Sequence, residues 1–144
     1  MESQNYANHK KFYYPHHFIF YPLALALAIT SIVKYNNTGQ ELEYLLLAFF
    51  IFLLIWLSFM MRQHYALGLQ NRIIRMELRL RYYQITGSRL ETLENQLTFA
   101  QLAALRFASD EELVGLIEQT LKEDLAANTI KKLIKNWQPD YMRI

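Results

Sequence analysis

No cysteine occurs among the 144 residues, which excludes disulfides, thiolate metal sites and cysteine nucleophiles. Glycine and proline are sparse, at four and three copies, and neither a glycine-rich phosphate loop nor a nucleophile elbow nor a paired zinc-ligand motif appears. Charge is missing from two stretches: residues 18–33, FIFYPLALALAITSIV, and residues 44–61, YLLLAFFIFLLIWLSFMM, carry none. At about 1.5 Å rise per residue, roughly 20 helical residues cross a hydrocarbon core of about 30 Å, so both stretches are candidate spans once their polar flanks are added. The chain-wide mean hydropathy of -0.01 hides this concentration.

A cleaved signal peptide and a pair of buried core helices compete with the spanning reading. The residues after Val33, KYNNTGQELE, hold no small-residue cleavage pattern, and a second, more apolar segment follows at once. Two buried helices would need a larger polar shell than the remaining chain supplies. A retained helical hairpin is therefore expected, with spans at about 15–35 and 43–62. Pro15 suits the first helical turn, where a missing N–H costs nothing; a start at Pro22 would leave the span too short, so Pro22 is placed inside the helix. Asn36, Asn37, Thr38 and Gly39 end it in a short loop, which makes the spans antiparallel neighbours.

Lysine and arginine set the orientation. Lys10 and Lys11 precede the first span and Arg62, Arg72, Arg75, Arg79 and Arg81 follow the second, whereas the connecting loop holds Lys34 opposed by Glu41 and Glu43. The positive-inside rule then puts both termini in the cytoplasm, with Tyr13, Tyr14, Phe18 and Tyr21 as the interfacial aromatic belt. Beyond the second span, Ala66, Leu69, Ile73, Met76, Leu80 and Tyr83 keep an unbroken 3-4-3-4-3 spacing, one apolar stripe on a helix that continues out of the span. Arg72, Arg75 and Arg79 form a second stripe about 100° round it. Gly87 closes this helix, and Gly68 is its weak point.

Three capping-box patterns follow, Ser88-Arg-Leu-Glu91, Thr98-Phe-Ala-Gln101 and Ser109-Asp-Glu-Glu112. They predict short helices near 89–96, 99–107 and 110–126, and a last one near 129–137 sets Ile130, Leu133, Ile134 and Trp137 against Lys131, Lys132 and Lys135. Charge is segregated along this tail: net +5 over residues 62–89, -6 over 90–128 and +3 over 129–144. That predicts acidic short helices folded back on the arginine-rich helix, and a lysine face that meets anionic headgroups, or simply solvated faces. The expected fold is an all-α membrane protein: residues 1–62 an N-terminal segment and transmembrane hairpin, 63–87 a juxtamembrane basic amphipathic helix, and 88–144 a cytoplasmic module of short packed helices.

The stretches QNYANHKKFYYPHHFIFYPL, LTFAQLAALRFASDEEL and IKKLIKNWQPDYMRI resemble a family of small bacterial membrane proteins of uncharacterised function, and the likeness spans nearly the whole chain. The resemblance implies a bacterial inner-membrane protein with two spans and a cytoplasmic helical tail. It implies no catalytic residue.

The chemistry that remains is sparse. His16, His17 and His64 are the candidates for a metal or haem site, but adjacent His16 and His17 point about 100° apart and no cysteine or intramembrane carboxylate joins them. The expected reading is that the histidines, His9 included, sit among headgroups beside Tyr13, Tyr14 and Tyr21. Thr30, Ser31 and Ser58 are the only polar groups clearly inside the spans, which argues against a proton or cation path. So near a membrane, lipid phosphates compete with nucleic acid for the arginines. The expectation is a non-enzymatic protein without cofactor or nucleic-acid partner, which presents its helical module for self-association or for docking a membrane-protein partner. Lys10, Lys11, Arg62, Arg72, Arg75, Arg79, Lys131, Lys132 and Lys135 would meet headgroups or a partner, and Ala66, Leu69, Ile73, Met76 and Leu80 would form the helix seam, against the chain's own tail or another copy. The alternative is an accessory subunit of a transport or respiratory complex.

Overall fold

A computed structural model describes residues 4–9, 12–39 and 41–140. Regular structure is helical, without a strand among the described residues. The chain divides into two compact units, a hairpin over Phe12–Gly68 and a module over Leu69–Arg143 that also takes in the N-terminal segment.

The hairpin is built from α1, Pro15–Asn37, and the first part of α2, Leu42–Thr86; both helices are long and apolar enough to cross a membrane. Pro15 stands in the first turn of α1, and Pro22 lies inside the helix. The turn between them is widened: the Tyr21 N–H donates to the His16 carbonyl, one residue further back than in a regular α-helix. Proline's ring collides with the carbonyl four residues earlier, and a wider turn just ahead of Pro22 relieves that crowding. Thr38 closes α1, its N–H and hydroxyl both on the Lys34 carbonyl at 2.9 and 2.6 Å, and Gly39 follows at φ +82°.

Three of the four buried hairpin residues, Ala24, Ser31 and Ala48, are small, and Ile51 is the fourth. Small residues such as these two alanines and the serine let two helix backbones approach closely. The Thr30 and Ser31 hydroxyls donate to the carbonyls one turn back, at 2.8 and 2.9 Å, so neither is left unsatisfied. Leu23, Leu27, Phe49, Phe52 and Trp56 point outward, and the hairpin contains nothing that could cover them.

α2 passes through Gly68 without a break and also carries a widened turn, Met61–Ala66. It ends at Thr86, where the Gly87 N–H reaches the Tyr83 carbonyl at 2.8 Å with Gly87 at φ +68°, the left-handed cap that glycine adopts freely. The module then adds α3 (Glu91–Glu94), α4 (Phe99–Leu105), α5 (Asp110–Glu123) and α6 (Ala127–Leu133). Leu90, Leu102, Leu105, Phe107, Leu113, Ile117 and Ile130 fill its core.

Of the three capping boxes only Thr98–Gln101 forms: the Thr98 Oγ1 accepts from the Gln101 N–H, and the Thr98 N–H donates to Gln101 Oε1 at 2.7 Å. Gln101 then spends its amide nitrogen on Asp124 Oδ1 and the Leu125 carbonyl, which ties the start of α4 to the end of α5. At the Ser88–Glu91 site α3 starts from Leu90, without a side-chain cap, while the Ser88 N–H turns back to Thr86. At the third, the Glu112 carboxylate leaves its own helix to accept the N–H groups of Lys135 and Asn136. That contact follows the end of α6, which stops at Leu133 rather than 137 because Ile134 turns extended. Trp137 thereby bridges to Ala108, and the Gln138 N–H donates to the Phe107 carbonyl at 2.8 Å.

Residues 69–86 pack as part of the module, and residues 4–9 join them.

Candidate self-association face

The module stretch of α2 carries two apolar stripes, and the core uses the one that the 3-4-3-4-3 spacing does not trace. Ile74, Leu78 and Tyr82, four residues apart, are buried in the module. Leu69, Ile73, Met76, Leu80 and Tyr83 remain between 53% and 67% exposed, and Ala66, in the hairpin unit, is exposed as well. The expected pairing of that seam with the chain's own tail is therefore not what folds the module. Its tail lies on the adjacent face.

Arginine explains the choice of face. Arg75 Nη1 donates to Glu94, and Arg79 Nε donates to the other Glu94 oxygen at 2.6 Å. Arg81 holds Asp110 and also the backbone carbonyls of Arg106, at 3.1 Å, and Ala108. Acidic α3 and the start of α5 are thus drawn to the side of α2 that presents 74, 75, 78, 81 and 82. Arg75 and Arg79, expected at headgroups or a partner surface, are engaged by a carboxylate of the same chain whose side chain is only 5% exposed. Burial pushes the Glu94 carboxyl upward, but the hydrogen bonds and charges of Arg79 and Arg75 outweigh it and hold the group below its usual range. Arg81, outside the expected site residues, is the most connected of these side chains; the net charges flanking residue 90 were the signal for it.

Arg72 and Glu77, on either side of the exposed stripe, are themselves exposed and form no ion pair with a described residue.

The N-terminal segment forms a strap on the module. Gln4 and His9 are buried. Gln4 Oε1 accepts the Asp140 N–H at 2.7 Å, while the His9 ring lies 6.1 Å from Phe107 and 5.9 Å from Trp137, centroid to centroid. His9 Nδ1 donates to the Tyr6 carbonyl at 2.7 Å, and this fixes the other nitrogen, Nε2, as the acceptor for Lys131 Nζ at 3.2 Å. Lys132 stands over the Tyr6 ring at 5.6 Å. His9 is accordingly a buried residue of the module, and two lysines of the expected headgroup face, Lys131 and Lys132, contact the strap; Lys135 is exposed. His9→Ala is expected to destabilise the module by about 1 kcal/mol through the lost ring and hydrogen-bond contacts. In a Trp56→Phe background, the emission of Trp137 should shift to the red; an unchanged spectrum would show that the strap does not shield it.

The remaining expected residues are dispersed. Tyr13, Tyr14 and Phe18 are exposed at the start of the hairpin and Tyr21 is half-buried, with Arg62 and His64 exposed on the widened turn of α2. The His16 and His17 rings are 5.2 Å apart, and His16 also contacts Tyr21 at 4.7 Å. Among the described residues no three histidine, aspartate or glutamate side chains converge as a metal-ligand group. Lys10 and Lys11 lie outside the described residues.

A protein-family model described as "Family of unknown function (DUF6526)" matches residues 1–144. No curated protein and no solved structure matches.

Proposed function

For this chain, which belongs to the DUF6526 family, we propose the role of a membrane-held self-association module: a bacterial inner-membrane hairpin, both termini cytoplasmic, that presents a folded helical unit to further copies of itself. The observation that carries the reading is the stripe Leu69, Ile73, Met76, Leu80 and Tyr83, still open after the module has folded. Large apolar side chains aligned on one helix face are characteristic of a contact surface, and each one fully buried contributes about 1.5–3 kcal/mol. The membrane assignment draws on the apolar outer surface of the hairpin and on the lysine and arginine bias of its flanks. Anchoring also favours association, because it confines the copies to a common plane in a common orientation. No catalytic step is assigned.

Mass measurement in nanodiscs tests the proposal. The wild-type chain is expected to give particles with more than one copy, and Ile73→Asp with Leu80→Asp to give single copies, since a carboxylate buried without a partner costs several kcal/mol. A strict monomer whose mass ignores both substitutions overturns the reading and leaves the accessory-subunit alternative.

A further inference from the structure

We propose that the partner on the exposed stripe is a second copy of this chain, packed parallel and in register as a short two-stranded coiled coil, with Arg72 of each copy paired to Glu77 of the other. The inference rests on the self-association reading above and adds its geometry. Alternating spacings of four and three put Leu69, Met76 and Tyr83 at the d positions of a heptad and Ile73 and Leu80 at its a positions. No polar residue interrupts this seam. In the same register Ile74, Arg75, Leu78, Arg81 and Tyr82 occupy b, c and f, the outward side of a coiled coil, and these positions carry most of the contacts that hold the folded module, while Arg79, at a g position beside the seam, also holds Glu94. Two modules can therefore ride on the outside of the pair while both seams stay open to each other.

Charge decides the direction. Arg72 takes a g position and Glu77 the e position five residues on. In a parallel pair, g of one helix faces e of the next heptad on its partner, so Arg72 meets Glu77 twice by symmetry. An antiparallel pair sets g against g and e against e, bringing like charges together. Both side chains are exposed, and the fold uses neither in an ion pair among the described residues. Membrane insertion imposes the same direction: in each copy the same uninterrupted helix, Leu42–Thr86, leads from the apolar segment to the seam.

The absence of cysteine makes the test direct, since any introduced thiol is unique. Leu69→Cys and Tyr83→Cys, each in the full chain in nanodiscs, should both oxidise to disulfide-linked dimers. An equimolar mixture of the two variants should yield 69–69 and 83–83 links without the 69–83 link that an antiparallel pair forms. Arg72→Glu or Glu77→Arg alone should weaken dimerisation by roughly 3- to 10-fold, because two attractive pairs become repulsive, and the double swap should restore it. A wild-type dimer that gives the mixed link, or no link at either position, overturns the parallel geometry and leaves self-association standing. A wild-type monomer without cross-links overturns both.

Discussion

Truncating Leu105 to alanine is expected to destabilise the helical module by about 2–5 kcal/mol, the cost of a buried leucine lost together with the cavity it leaves. Leu105 has no exposed surface and sits at the end of α4 among side chains from α2, α5 and α6. No residue of the hairpin unit belongs to that cluster, so the loss should be confined to the module. Hydrogen exchange of the protein in nanodiscs separates the two: amides of α4, α5 and α6 should exchange faster in the variant, by the factor that corresponds to the lost free energy, while amides of α1 hold their rates. Equal acceleration in both units would mean that they unfold as one.

The second large effect is expected at Glu94. Glu94→Ala removes the acceptor shared by Arg75 and Arg79 and should cost about 1.5–3 kcal/mol, the range for hydrogen bonds to charged groups. The cost stays below that of a fully buried pair, because each arginine side chain retains more than a third of its exposure and can rehydrate. Acid should reproduce the loss. A carboxyl held below its ordinary value of 4.5 in the folded chain contributes stability that is fully present above that value and is lost as pH falls through the lowered folded one. Module stability measured from pH 7 downward should therefore decline in the wild type below about 4.5 more steeply than in Glu94→Gln. Parallel curves would remove Glu94 as the cause.

Periodicity made α2 legible and left open which of its faces meets the core, for a physical reason. A helix with apolar residues at 69, 73, 74, 76, 78, 80, 82 and 83 carries two stripes, and the 3-4 alternation singles out the one suited to a partner helix. Which stripe meets the chain's own core was decided by ion pairs between residues 15 to 29 positions apart, a separation to which a local pattern is blind. Charge segregation foretold that α3 and α5 would approach the arginines, without naming Glu94 as the acceptor. Pro15, Gly39 and Gly87 were readable because their roles follow from their own backbone limits. The strap was not: Gln4 and His9 look like any polar residues ahead of a basic pair, and their partners Asp140, Phe107 and Trp137 lie about a hundred residues or more away.

That strap also orders events during synthesis. Gln4 is synthesised ahead of the hairpin and accepts its hydrogen bond from Asp140, 136 positions later. Residues 12–68, which make up the whole hairpin unit, are translated in between, so both apolar helices are available for insertion before the module can be completed. At about 5–20 residues per second, the strap waits several seconds or more with its aromatic partners unsynthesised. Closing so long a loop adds little entropic cost beyond a loop half its size, but it postpones this contact of the strap until Asp140 has been made. A nascent chain stalled before Trp137 would carry both hairpin helices and an open module.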